Sequence, residues 1–499
     1  MSGCRRSGIS LLGLLATWAC QCQPQPEIFP CNSTADCPNN MVCSNGLCRE
    51  PFDAGIVVDS GHRPDAAGRD LPATDSWWPD AIALDSTDRD GAAAIDGAAV
   101  DAATPADRAG ESDAPASDGS VDAAAGQDAA AGSDSGAADA AQPVHWWHRD
   151  WSWRQRLSFD NTALRESLID FTVLVHLERS RFAFSHGLLD GSDLRFVASD
   201  DETVLDHEIE EWTMVGTDDG IAWIWVRVPR IEDDSSDSFI WLYHGNPSPD
   251  VPPAPSDAWS ERFRAVYHLG GDSSDSTWHC NDGFDSSTSA ASGKIGRGYD
   301  FNGVSSSIKV ASNPTVDDLF SAATGDEAGG TLLAWVKPRS AGEGSYGRVF
   351  DKSGSNNMGG WELETTTMSD CGTAFSFERD YSVRAGDWCA QSALTSYDRW
   401  YFVAVVFRED DPLPPVPAFY VDGASATVVT EEAPSGNPLS DCGMDLCIGN
   451  RCGASDRTFD GVIDEVRIVK GMLGPDWLAA EFLSMSDAFV TYGPAEQRP

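Results

Sequence analysis

The chain has 499 residues, enough for two or three domains with a sizeable core, and a formal charge of −45 at pH 7. A surface this acidic repels phosphate backbones and anionic lipid headgroups, which excludes ordinary nucleic-acid binders. It suits divalent cations and an exposed, solvated setting.

In chain order, Arg5 and Arg6 precede the apolar run "GISLLGLLATWA", which meets Cys20. The run is far short of the ~20 residues a spanning helix needs, and reads as an export signal. "TWAC" resembles a bacterial lipobox, with Thr17 where that pattern prefers Leu. The resemblance implies a signal over 1–20 and a lipid anchor on Cys20, hence an exported protein held at the outer membrane or released to the outside. Plain cleavage is the alternative. Cysteine usage agrees with export: outside Cys4, Cys20 and Cys22, the thirteen cysteines fall into groups of four and six, the even numbers expected of disulfides. The first group is Cys31, Cys37, Cys43 and Cys48, in a stretch too short to bury a core. No CxxC pair favours zinc, so cross-links are expected. The stretch resembles the small Cys-rich modules of bacterial surface lipoproteins.

From Asp53 to Pro143 runs a low-complexity tract of Ala, Asp, Gly and Ser; residues 53–142 hold 19 acidic and 4 basic side chains. Without apolar period and with one charge sign prevailing, it cannot offset the entropy of ordering, and is expected to be a disordered, extended linker.

At "HWWHRDWSWRQRL" the composition switches to folded protein. Short runs such as "DFTVLVHLE", "IAWIWVRVP" and "SFIWLYHGN", bounded by polar turns, predict a β-rich domain over 145–250. "WSWRQRL", "DGSDLRFVASDDETVLDHEIEEW", "WVRVPRI" and "IWLYHGNP" resemble the bacterial domain of unknown function 2341, a family without an established activity. After the Pro-rich joint a second all-β region extends over 256–497. "GRGYDFNG", "TLLAWVKPRS", "AFYVDGA" and "FDGVIDEVRIV" occur in an order that is similar to the concanavalin A-like jelly roll in its laminin-G-like form. The expected fold class is therefore all-β: two antiparallel sandwiches behind a Cys-rich module and an acidic linker. Six cysteines fall in the second region, Cys280, Cys371, Cys389, Cys442, Cys447 and Cys452, and three bridges are expected, with Cys371–Cys389 the best single pairing.

Each chemical motif has a plain structural alternative. Glucanases of the resembled fold carry catalytic carboxylates at i, i+2 and i+4 of one strand, where alternation sends them into one cleft. "WELETTTM" offers Glu362 and Glu364 without the third acid, and "IDEVRIV" offers Asp464 and Glu465, which a regular strand sends to opposite faces. Alternation puts Val462, Asp464, Val466 and Ile468 on one face and Ile463, Glu465, Arg467 and Val469 on the other, with Glu465 and Arg467 in reach of an ion pair. No catalytic residue is assigned. Nucleophile and metalloprotease motifs are absent from the sequence, and His145, His148, His176, His207 and His244 are read as strand-end or surface residues. A structural calcium ion is the one candidate cofactor, held by Asp272 and Asp275 from one loop and Asp464 from the last strand, against the bland reading of turn aspartates. Most tryptophans alternate with apolar neighbours and read as core, whereas Trp361 and Trp388 lie beside loops and are candidate sugar-stacking platforms. The expected role is non-catalytic binding or adhesion, with a carbohydrate or a cell-surface protein as partner and no nucleic acid. A polysaccharide-degrading enzyme and a structural envelope component are the rivals.

Overall fold

The computed structural model describes residues 42–44, 47–49 and 145–499, apart from 322–324, 355–358, 368–369, 411–412 and 455. The export signal, Cys20, Cys31, Cys37 and the acidic tract lie outside the described residues. Within the Cys-rich module, β1 (Val42–Ser44) and β2 (Leu47–Arg49) pair antiparallel with Cys43 opposite Cys48.

The first sandwich begins with β3 (Trp153–Phe159), β4 (Leu168–Glu178), β5 (Arg195–Ala198) and β6 (Val204–Leu205). It continues with β7 (His207–Met214), β8 (Gly220–Ile231) and β9 (Phe239–His244). A three-stranded sheet, β4-β8-β7, packs on a sheet containing β3, β9, β5 and β6. Period-two patterning drives this: Ala222, Ile224, Val226 and Val228 of β8 enter the core with Phe171, Val173 and Val175 of β4.

The second sandwich has a front sheet of β10 (Phe263–Tyr267), β12 (Ser289–Ser292), β13 (Arg297–Asn302), β15 (Gly330–Pro338), β20 (Tyr401–Phe407), β21 (Ala418–Val421), β22 (Ala424–Ser425) and β25 (Asp460–Lys470). Its back sheet runs β11 (Gly283–Ser286), β14 (Ser307–Val310), β24 (Leu446–Ile448), β16 (Tyr346–Ser353), β17 (Gly360–Thr366), β18 (Ala374–Arg379), β19 (Gly386–Ala390) and β23 (Val428–Glu432). All pairings are antiparallel, as the jelly-roll expectation requires. The central strands of the front sheet are buried on both faces. Tyr401, Val403, Val405 and Phe407 enter the sandwich core, while Phe402, Ala404 and Val406 join the core of the first sandwich. That double burial explains why "YFVAVVF" is apolar throughout instead of alternating.

Two closing elements lock the sandwiches together. Helix α1 (Pro475–Met485), with Pro at its first turn and Asp476 beside it, packs Trp477 edge-on to Phe171 of β4 and Phe482 against Trp335 of β15. The chain then returns as β26 (Val490–Gln497), which pairs with β3 from Val490↔Phe159 to Gln497↔Trp153. The expected second domain over 256–497 is thus corrected at its end, because its last strand completes the first sandwich. Pro494 is tolerated there, since an edge strand can spare a ladder donor.

Of the expected disulfides, Cys371–Cys389 and Cys447–Cys452 are formed. The sulfur of Cys280 lies against the Trp278 carbonyl and that of Cys442 against Asp318.

Candidate functional site

The two candidate sugar platforms are not on the surface. Trp361 is 2 % exposed and Trp388 is fully buried, both in the core of the second sandwich. Each stands on a back-sheet strand at an inward position, and the Trp361 indole N–H donates to Asp441 at 2.7 Å. Proximity to a loop in sequence did not bring either ring to solvent.

The calcium set also does not assemble. Asp275 caps its own loop, accepting from the backbone N–H groups of Val266, Thr277 and Asn281. Asp272 accepts from Ser274 N–H in an Asx-turn. Asp464 is buried and accepts from the N–H groups of Lys294 and Ile295, at 2.6 and 3.0 Å, so it holds a turn. Among the described residues, the groups of three or more ligand side chains within 4.8 Å of one another contain none of these aspartates.

β25 corrects the expected alternation. Glu465 has φ +49° and the register against β15 slips between Leu333 and Trp335, which marks a β-bulge. Ile463, Val466 and Ile468 enter the sandwich core, and Val469 joins the core of the first sandwich. Asp464 and Glu465 therefore both belong to the side facing the first sandwich, with Arg467. There Arg467 bonds Glu465 at 3.0 Å and Glu481 of α1 at 2.6 Å, and lies 4.4 Å over the Trp225 ring. The expected Glu465–Arg467 pair exists, but fully buried rather than on a strand surface. His268 adds Glu465 at 2.7 Å and Glu208 of β7 at 3.3 Å. Burial pulls the His268 pKa down, yet Glu465, Glu210 and Glu208 outweigh it and hold the ring well above its usual value. Burial raises Glu210 to about 8, with Glu465 adding repulsion.

A second acidic site lies on the back sheet's other face, where it turns away from the sandwich core. Trp361 and Leu363 of β17 point into the core, so Glu362 and Glu364 point out. A bulge in β16 sends Val349 and Phe350 both inward and leaves Arg348 and Asp351 outward. Pairing then aligns Asp351, Glu362, Glu378, Asp387 and Glu432 directly across β16, β17, β18, β19 and β23. Opposed side chains in such a ladder stand about 4.5–5.5 Å apart at Cβ, so five carboxyl groups form one row. Arg348, 7 % exposed, pairs with both Glu362 and Glu364 and approaches Asp351 at 3.4 Å. Ser376 donates to Asp387 at 2.7 Å.

The far end of the row opens into a cleft of about 460 Å³ lined by Glu378, Asp380, Tyr381, Arg384, Asp387 and Glu432. Burial, reinforced by Glu362, Asp387 and Asp380, pushes the Glu378 carboxyl up to about 8. Burial raises Glu362 to about 7 despite Arg348. Asp387 is also raised, mainly by burial. At neutral pH the row thus holds proton donors and acceptors together, which can donate to and accept from a ligand's hydroxyl groups, or serve acid–base chemistry. Glu362 and Glu364 were visible in the sequence, but Asp351, Glu378, Asp387 and Glu432 were not. Each comes from a different strand, and only the pairing register aligns them.

Residues 303–479 match the family model of the concanavalin A-like lectin/glucanases superfamily, and residues 190–257 match that of the domain of unknown function 2341. No curated protein matches. Among solved structures, the chain is similar to domain 4 of AbnA, a GH43 extracellular arabinanase from Geobacillus stearothermophilus in complex with arabinotriose. The identity is 18 %, over 44 % of this chain and 97 % of that one, with a TM-score of 0.33. The binding domain of Paraclostridial Mosquitocidal Protein 1 is 12 % identical over 45 % of this chain and 52 % of its own, with a TM-score of 0.35. The Ruminococcus gnavus IT-sialidase CBM40 is 17 % identical over 31 % and 82 %, with a TM-score of 0.25. The chain therefore carries a segment of the domain of unknown function 2341 followed by a concanavalin A-like domain.

Proposed function

We propose that this protein is a non-catalytic glycan-binding protein, and that the glycan lies in the back-sheet cleft along the carboxyl row. The observation that supports this reading is the cross-strand alignment of Glu378, Asp387 and Glu432 at an open cleft. Carboxyl groups fixed by strand pairing are preorganised hydrogen-bonding partners for sugar hydroxyls. Their negative field favours a neutral or amino-bearing glycan over an acidic one. The two disulfides support an oxidising, exported setting, in keeping with a surface protein anchored at Cys20.

Hydrolysis is the second reading, favoured by a Glu378 carboxyl that keeps its proton at neutral pH beside other carboxylates. One experiment separates the two. The purified chain is screened on an array of neutral, amino-bearing and acidic glycans, and each hit is incubated for release of reducing ends. Binding without release, weakened about tenfold or more by Asp387→Ala, supports the binding reading. Release abolished by Glu378→Gln overturns it in favour of the hydrolase. Binding untouched by both substitutions sinks the cleft as the site.

A further inference from the structure

The cluster around His268 is not used by the proposed glycan site and lies on the other sheet. Three side chains meet there from two sandwiches: His268 and Glu465 from the second, Glu210 of β7 from the first. Their ligand atoms all lie within 4.8 Å of one another. We propose that these three residues form a binding site for a divalent transition-metal cation of the zinc type, which clamps the two sandwiches together.

The donor set carries the first part of the argument. One imidazole and two carboxylates suit zinc or its first-row neighbours, whereas calcium takes six to eight oxygens and no nitrogen. The His268 Nδ1 lies 2.7 Å from Glu465 Oε1 and 3.6 Å from Glu210 Oε2. A cation about 2.0–2.2 Å from each would replace the proton that Nδ1 and Glu465 now share.

The surroundings carry the second part. A metal-bound histidine ordinarily passes its other ring N–H to a carboxylate, and His268 Nε2 lies 3.3 Å from Glu208 Oε2. Glu208 is itself fixed, by the Trp259 indole N–H at 2.6 Å and the Ser276 hydroxyl at 2.8 Å. The Trp225 indole N–H donates to Glu210 at 2.8 Å, and Arg467 holds the far oxygen of Glu465. Every proposed ligand thus has an orienting partner; on Glu210 that partner shares Oε2, the oxygen facing His268, and leaves its second lone pair for a cation. Charge points the same way. Glu208, Glu210, Glu465 and Glu481 face Arg467 and His268, so acidic side chains outnumber basic ones in a buried place. A cleft of about 520 Å³, lined by Glu208, Glu210, His268, Gly270, Gly271 and Ser276, gives an ion its way in.

The test uses the full chain, stripped with a chelator and titrated calorimetrically with zinc chloride. One zinc ion per chain is expected, with cobalt giving visible absorption bands of a low-coordinate site. Glu210→Gln keeps the size and the acceptor for Trp225, and should weaken zinc by more than about 100-fold. Glu208→Gln, acting through His268, should weaken it about 10–100-fold. Asp272→Asn should leave it unchanged. Absence of one-to-one binding in the parent, or binding indifferent to Glu210→Gln, overturns the proposal. Should a variant fail to fold, X-ray absorption of the zinc-loaded parent decides. One nitrogen among oxygen neighbours near about 2.0–2.1 Å supports the site, and an all-oxygen or sulfur-containing shell refutes it.

Discussion

The two sheets of the second sandwich use one device to opposite ends. In each, a β-bulge turns two consecutive residues toward the same side: Asp464 and Glu465 in β25, Val349 and Phe350 in β16. On the front sheet the displaced acids are roofed by the first sandwich, Glu465 meeting Arg467 and His268 and Asp464 the backbone N–H groups of Lys294 and Ile295. On the back sheet the bulge leaves Arg348 and Asp351 outward beside a row of acids that no second sandwich covers. There a single buried arginine serves several carboxyl groups, and protons held by Glu378 and Glu362 make up the difference. The lesson is that coverage, not sequence, decides whether a carboxylate on a jelly-roll face becomes glue or an open site.

The comparison can be broken most severely by removing the roof. Truncation after Ser486 deletes β26, takes the edge from the first sandwich and exposes the Tyr492 hydroxyl's partner, the His176 N–H. The product should fail to give a soluble, cooperatively unfolding protein, and a truncated chain with the parent's near-UV circular dichroism would show that the roof is dispensable. Next in size, Arg467→Met leaves Glu481 buried without its cation and Glu465 with His268 alone. It should cost about 3–5 kcal/mol in urea unfolding, and a loss below about 1 kcal/mol would deny that the charge is met there. Joint replacement of Cys371 and Cys389 by alanine, on the back sheet, should cost about 2–4 kcal/mol by the same measurement.

The proton-bearing character of the open row predicts a pH dependence. The Glu378 pKa is about 8 in the folded protein against a reference of 4.5, so the folded state binds the proton more tightly. Its contribution is greatest below about pH 4.5, falls as pH rises toward 8, and is flat beyond. Glu378→Gln should therefore become the more stable protein as pH rises across that window. The gain should be on the order of 1–2 kcal/mol by pH 9, discounted for the water that reaches the carboxyl. Equal pH profiles for parent and variant would remove the protonated acid from the row. The smallest effect belongs to Phe284, 75 % exposed on the back-sheet edge strand β11, where Phe284→Ser should change stability by less than about 0.5 kcal/mol.

The all-β class, the two sandwiches and the Cys371–Cys389 bridge were legible in the sequence, because turn residues and β-branched runs are local signals. The Glu465–Arg467 pairing was legible from the i, i+2 alternation of a strand. The parity of β25 was not, since a bulge depends on how Ala334 and its neighbours fit the opposing strand. Trp361 and Trp388 misled because closeness to a loop says nothing about which face a ring takes. The carboxyl row escaped because Asp351, Glu378, Asp387 and Glu432 are brought together only by register across five strands. β26 was assigned to the wrong sandwich, since nothing in "VTYGPAEQ" names its partner.

That last pairing also sets a clock for assembly. Arg154 of β3 meets Glu496 across 342 residues, and Gln155 meets Gly493 across 338. At about 5–20 residues per second, a ribosome needs roughly 17–70 s between making the first strand of this sheet and making its neighbour. Throughout that interval β3 offers an unpaired backbone edge to any other chain nearby, so production of this protein should reward slow, dilute synthesis and a guardian for nascent strands.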